Sequence, residues 1–177
     1  MREPTAMRVI STARLTLEPQ LAAHAPEMFA VLSDPAIYEY ENEPPPSVQW
    51  LAARFTRLES RQSADGRERW LNWVMRLRTS GLIGYVQATL QPGGHAGIAY
   101  EMASAWWGRG LASEAVRAMI DELVRQHGVR SLGAVLKRDN GRSLRLLQGL
   151  GFSLASPDEH ARRGVEPAEM LMERGIG

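Results

Sequence analysis

The chain contains no cysteine. That excludes disulfides, thiolate metal sites and a cysteine nucleophile. Lysine is almost absent too: Lys137 is the only one, and arginine carries the remaining basic charge. The formal net charge of +1 gives no global attraction to nucleic acid or to an acidic membrane surface. The four histidines, His24, His95, His127 and His160, stand far apart, and none falls in an H-x-x-x-H or H-x-H spacing, so no metal site is expected. No run approaches the roughly 20 apolar residues that span a bilayer. Met1 to Ile10 has no apolar signal core, and a cytoplasmic protein is expected. Internal repeats, low-complexity tracts and interdomain linkers are also missing.

What remains is an ordinary globular composition, 44% hydrophobic and 23% charged over 177 residues. This length fits one domain with a sizeable core. Residues 1–7 read as a flexible leader and 8–177 as the single domain.

Arg14-Leu15-Thr16-Leu17 alternates as a strand ended by Pro19, and Leu21 to Leu32 reads as a helix closed by Ser33-Asp34-Pro35. Ile37 to Pro46 is irregular, since Pro44-Pro45-Pro46 blocks helix and sheet alike. Ser47 then caps a second helix along Trp50, Leu51, Arg54, Phe55 and Leu58. Trp70 to Arg78 alternates strictly, with Trp70, Asn72, Val74 and Arg76 on one face and Leu71, Trp73, Met75 and Leu77 on the other. With Leu82 to Leu90 and Gly97 to Met102 it forms an antiparallel meander. Further on, Ser131 to Val135 is a short apolar strand, and Asp139-Asn140 precede a helix carrying Leu144, Leu147 and Leu150. Phe152 to Leu154 starts a strand, Asp158 to Pro167 reads as loop, and Ala168 to Glu173 as a last strand. The order β-α-α-β-β-β-α-β-α-β-β predicts a mixed α/β or α+β domain on one sheet of about seven strands.

The chain is organised around Trp106-Trp107-Gly108-Arg109-Gly110-Leu111-Ala112-Ser113-Glu114-Ala115. A strand pattern here gives way to a helix pattern: apolar residues recur at Leu111, Ala115, Val116, Met119, Ile120, Leu123 and Val124, and Gly128 marks the stop. A glycine-rich turn at a helix start leaves several backbone N–H groups unpaired and adds the positive end of the dipole, which suits a phosphate or pyrophosphate.

Three stretches together resemble the GNAT superfamily of acyl-CoA-dependent N-acetyltransferases, nearest the ribosomal-protein N-terminal acetyltransferase branch. They are Thr12 to Leu17, Tyr100 to Ala115, and Asn140-x-x-Ser143 followed by Gly149-Leu150-Gly151-Phe152. The resemblance runs from Thr12 to about Glu173. It implies the family fold, a mostly antiparallel twisted sheet in which a splayed parallel strand pair holds acetyl-CoA. The family's Gln/Arg-x-x-Gly-x-Gly/Ala motif maps onto Trp107-Gly108-Arg109-Gly110-Leu111-Ala112, with Trp107 departing from it at the first position. By resemblance, the backbone from Gly108 to Ser113 wraps the pyrophosphate and Arg109 adds a full charge. The backbones of Tyr100, Glu101 and Met102 pair with the pantetheine arm, and an N–H near Met102 polarises the thioester carbonyl. No metal is implied. A homodimer is within the family's habit.

The reaction implied is direct attack of an amine on the thioester. Glu101 is the candidate base, the alternative being an arginine partner or solvent. The tyrosine acid found in many members is replaced by Leu147, which leaves Ser143 as the candidate proton donor; its alternative is a first-turn serine bonded to backbone. Asn140 either holds the pantetheine arm, caps its helix, or does both. Glu114 reads as a structural carboxylate, Trp106 and Trp107 as packing over the helix start, and Arg138, Arg142 and Arg145 either as contacts for the 3′-phosphate or as a solvated face. The acceptor amine is expected between the early helices and the C-terminal loop, near Glu39, Glu41 and Glu43 with Tyr38, Tyr40 and Trp50 as walls. Two other readings stand beside transfer: a degenerate acyl-CoA sensor, favoured by the missing tyrosine, and an unrelated nucleotide binder. Against the last, there is no P-loop lysine and no third glycine of a dinucleotide fingerprint.

Overall fold

A computed structural model describes residues 5–40 and 42–177. The expected strands and helices are present, with three differences. Eight strands form the sheet: β1 (Ile10–Ser11), β2 (Leu15–Pro19), β3 (Arg69–Leu77), β4 (Gly81–Gln91), β5 (His95–Met102), β6 (Ser131–Lys137), β7 (Ser153–Leu154) and β8 (Glu169–Gly175). The additional strand is β1, a two-residue pairing with β2 too short to show a period. The first helix divides into a 3-10 turn and α1 (Ala25–Leu32), because Pro26 at the first turn has no N–H to give to a continuous ladder. The stretch expected as loop after Ala155 contains α5 (Pro157–Arg162), started by Ser156 accepting from the Glu159 N–H at 3.1 Å. The other helices are α2 (Val48–Leu58), α3 (Leu111–His127) and α4 (Gly141–Gly149). Of the residues read as a leader, Thr5 accepts through its carbonyl from Arg69 at 2.9 Å and Met7 packs on the core.

The sheet order is β1-β2-β3-β4-β5-β6-β8-β7. Among the described residues only β5 and β6 run parallel, and they pair for just three residues, His95–Gly97 against Ser131–Gly133. Beyond that point the strands separate. The strict alternation of β3 is explained by cover on both faces. Leu71, Trp73, Met75 and Leu77 join the core under α3 and α4, while Val74 packs with Met28, Leu51 and Phe55 under α1 and α2. Trp73 is fully buried and donates its indole N–H to the Arg8 carbonyl at 2.9 Å, satisfying its one polar atom. At Gly84 an added Cβ would collide with the Glu101 carbonyl oxygen, so β4 and β5 approach closely beside the gap only because this residue is glycine.

Candidate active site

The cleft opens where β5 and β6 part. Its volume is about 350 Å³, and it runs from the start of α3 to the start of α4. At one end lies the glycine turn. Gly108 and Gly110 have φ of +75° and +74°, left-handed values that a side chain would resist. Gly110 accepts from the Glu114 N–H at 3.0 Å, the first bond of α3, so the N–H groups of Leu111, Ala112 and Ser113 have no partner within the helix. All three residues line the cleft.

The turn is braced from the opposite edge of the sheet. Thr12 donates to Glu114 at 2.7 Å, and Arg14 contributes its N–H and its Nε, each at 3.0 Å. A further Arg14 nitrogen donates to the Arg109 carbonyl at 2.9 Å. Burial pushes the Glu114 carboxyl up, and the Thr12 and Arg14 bonds outweigh it, holding it below the usual carboxylate range. Glu114 is therefore structural, as expected. A second brace comes from Asp34, whose carboxylate accepts from the Ser104 N–H at 2.6 Å and ties the end of α1 to the segment after β5. Arg109 does not line the cleft; its guanidinium lies over the Trp106 ring, 5.0 Å from the centroid.

The middle of the cleft is the edge of β5. Ala103 donates to Ile83 at 2.9 Å, and Glu101 stands opposite Tyr85. By the alternation of an antiparallel ladder, Glu101 and Ala103 turn their backbone polar groups to β4, while Tyr100 and Met102 turn theirs into the gap. The Met102 carbonyl is taken by the indole N–H of Trp107 at 2.8 Å. Arg142, which also lines the cleft, stacks on the same indole, 3.4 Å from its centroid. Trp107 is thus packing, as the sequence suggested, and it also ties the turn to β5.

At the far end, Asn140 accepts from the Ser143 N–H at 3.1 Å and caps α4. The Ser143 hydroxyl is not bonded to backbone of its own turn. It stands 2.5 Å from the Tyr100 hydroxyl. Burial pushes this phenol above its ordinary value, against the lowering pull of Ser143 and Arg142. Only the backbone of Tyr100 was expected to matter. Nothing in the sequence links residues 43 positions apart; the family position for a tyrosine, Leu147, is filled by a buried leucine.

Side chains alternate across β5, so Glu101 points away from Tyr100, to the α1 and α2 face. There a second cavity of about 440 Å³ lies over the sheet, walled by Leu51, Phe55 and Trp50. Glu101, Tyr85, Gln87 and Asn42 line both cavities, so the two meet at Glu101. The Tyr85 phenol hydrogen-bonds the Glu101 carboxylate; burial first, then that carboxylate, raises it well above its ordinary value. Asn42 Nδ2 stands 3.5 Å from a Glu101 oxygen. Tyr38 donates to the Leu32 carbonyl at 2.5 Å and is pushed up to about 12, by burial and then by Glu101 and Asp34. Of the expected acceptor residues, Glu43, Tyr38 and Trp50 line the second cavity and Tyr40 lines the first. Glu39 is exposed and lines neither; Glu41 lies outside the described residues. The stretch expected as a C-terminal loop lines neither cavity. Among the described residues no three His, Asp or Glu side chains group together as a metal site would require. No described helix is long and apolar enough to cross a membrane.

A model of the GNAT acetyltransferase domain matches residues 14–153. The chain belongs to this family. It is similar to an uncharacterised N-acetyltransferase, p20, of Bacillus licheniformis, 28% identical over 148 residues, which cover 82% of this chain and 83% of that one. Among solved structures, a putative GNAT acetyltransferase of Bordetella pertussis is 27% identical with a TM-score of 0.72, covering 96% of this chain and 100% of that one. The fold is also that of a ribosomal L7/L12 α-N-protein acetyltransferase solved in complex with coenzyme A, with a TM-score of 0.78 at 15% identity, covering 96% of this chain and 98% of that one. The GNAT domain match contains the glycine turn, Glu101 and Ser143 alike.

Proposed function

We propose that this GNAT protein transfers an acetyl group from acetyl-CoA directly to a primary amine. One observation carries the reading: Glu101 stands where two cavities on opposite faces of one sheet meet, one bounded by the glycine turn and one by the early helices. The turn fits a pyrophosphate, since three free N–H groups, a helix dipole and two left-handed glycines converge there. The gap in the sheet fits the two-amide pantetheine arm, which the backbone polar groups of Tyr100 and the N–H of Met102 receive as a strand edge receives another strand. The structural likeness to a protein solved with coenzyme A supports the same ligand.

An ammonium acceptor must lose a proton before its nitrogen attacks the thioester carbon, with ordinary values of about 8 for an α-amine and about 10.4 for a lysine. Glu101 takes that proton, directly or through water, from the second cavity. The Met102 N–H faces the gap and stabilises the oxyanion as the carbonyl becomes tetrahedral. Collapse breaks the C–S bond, and the leaving thiolate receives a proton or hydrogen bond from Ser143. Tyr100 is the more acidic of the two hydroxyls, so it donates to Ser143 Oγ and leaves the Ser143 proton free to point at the sulfur.

The test offers acetyl-CoA with a panel of primary amines and follows released thiol. Acetylation that falls about 100-fold in Glu101→Gln, with the loss smallest at high pH where the amine deprotonates unaided, is expected. Stabilisation by CoA with no thiol from any amine identifies a sensor instead; no stabilisation at all removes both readings.

A further inference from the structure

The second cavity carries charge of both signs, which transfer to a plain amine does not need. Glu43 and Glu101 are the carboxylates that line it, and Arg54 is the one cationic side chain among its described lining residues. Trp50, Arg54 and Leu58 follow at four-residue steps along α2, so they share one stripe of the helix beside the buried Leu51 and Phe55. All five line the cavity, which is how an exposed helix position delivers a guanidinium to it. The guanidinium lies over the Trp50 ring, 5.9 Å from the centroid, where the negative ring face attracts a cation. No carboxylate among the described residues pairs with it. Arg8, Arg14 and Arg76, by contrast, are each held by a carboxylate of this chain.

The Arg54 charge also reaches the reacting end of the cavity. Burial first, and then Glu101, push the Tyr85 phenol up, and Arg54 is the charge that pulls it down. Screening by salt limits such an influence to about 10 Å. Tyr85 in turn hydrogen-bonds the Glu101 carboxylate. The guanidinium therefore stands within about 10 Å of a phenol that touches Glu101, a span that a small molecule of several bonds covers. A guanidinium presents a planar fork of donors matched to a carboxylate, and it repels a second ammonium. We infer that the acceptor is an amine that also carries a carboxylate, which Arg54 holds while the nitrogen sits at Glu101. The nitrogen's position rests on the amine-transfer reading. The guanidinium on the cavity wall does not.

The experiment uses 3-aminopropanoate, 4-aminobutanoate, 5-aminopentanoate and 6-aminohexanoate, each beside its own amide, with 1,5-diaminopentane and pentylamine as controls. A peptide pair, alanyl-glutamyl-alaninamide and alanyl-glutaminyl-alaninamide, carries the same difference on a chain. Each is tested for acetylation with acetyl-CoA and, separately, for binding to the whole protein by calorimetry. The best carboxylate is expected to exceed its amide, the diamine and pentylamine by at least about tenfold in kcat/KM, the size of one charge-assisted contact. Whether the free amino acids or the glutamyl peptide show the preference decides which kind of molecule bears the carboxylate. In Arg54→Met this ratio is expected to collapse towards one through KM, with kcat and the Tm nearly unchanged, because the lost contact serves binding alone. Arg54→Lys should restore part of it. A ratio left intact in Arg54→Met overturns the inference, whatever the Tm does. So does equal use of carboxylate and amide, preference for the diamine or pentylamine, or a set in which no member binds or reacts. Equal acetylation of every member leaves the transfer reading standing. Arg54-dependent binding of the carboxylates with no acetylation of any member would uphold the inference and defeat the transfer reading.

Discussion

The Tyr100 hydroxyl lies 2.5 Å from the Ser143 hydroxyl, joining the middle of β5 to the first turn of α4 across the gap in the sheet. In the proposed mechanism Tyr100 donates to Ser143, and Tyr100→Phe removes the group that sets the direction of the Ser143 O–H. The expected result is a fall in kcat of about 5–30-fold with little change in KM for acetyl-CoA, the size of one hydrogen bond lost near the reacting atoms. Ser143→Ala should cost more, about 100-fold. Adding Tyr100→Phe to Ser143→Ala should then cost little further. Steady-state kinetics on the two single variants and the double variant check all three, and additive losses would show that the residues act separately.

Gly110 has a φ of +74°, and a Cβ there would stand 3.5 Å from an Arg14 nitrogen, an ordinary contact. The cost of Gly110→Ala is therefore conformational and not a clash, about 1–2 kcal/mol in urea unfolding. Gly110→Glu adds a negative charge beside the free N–H groups of α3. Coenzyme A affinity by calorimetry should fall by more than about tenfold beyond the loss in the alanine variant, since like charges at a helix start repel.

Glu114 has a carboxyl held below its ordinary value in the folded chain. Its ionised form therefore stabilises the fold at every pH above the unfolded value of about 4.5, and that contribution is lost as pH falls through the lower folded value. Glu114→Gln should lower stability at pH 7 by about 1 kcal/mol and make the acid limb of stability against pH shallower. Chemical denaturation between pH 3 and pH 7, intervals of about one unit, reads both. An acid limb identical to that of the parent chain would mean that another carboxylate sets it.

Trp107 ties the glycine turn to the end of β5 through the Met102 carbonyl, 2.8 Å away, and lies under Arg142. Trp107→Phe keeps a ring for Arg142 but loses the N–H. A loss of about 1 kcal/mol is expected, with a rise in KM for acetyl-CoA of about fivefold because Met102 is released where the thioester would lie. An unchanged KM would show that Met102 is held by the ladder bonds of its neighbours alone.

Local features were legible in the sequence wherever neighbours in the chain determine them. The turn at Gly108 and Gly110, the stop at Gly128 and the cap at Ser47 depend on residues a few positions apart, and all three are observed. The alternation of β3 was readable from its apolar period, as was the meander from its turns. The two-residue strands β1 and β7 carry too little period to be read with any precision, and α5 was hidden in a polar stretch whose only signal was Ser156-Pro157. At the site, the glycine turn and Asn140-x-x-Ser143 were visible because they are contiguous motifs. The phenol beside Ser143 and the meeting of two cavities at Glu101 were not.

By itself, then, the sequence determined the element types, the glycine turn at the start of α3, the absence of cysteine chemistry and the resemblance that the family match bears out. Each of these is written in residues close together along the chain. The tertiary structure decided which side chain faces which. Strand register set Tyr85 opposite Glu101, and the parting of β5 from β6 set Tyr100 against Ser143 and Glu101 on the opposite face. A shift of one residue in any of these pairings would turn the same side chains to the other side of the sheet, and only packing on both faces excludes it.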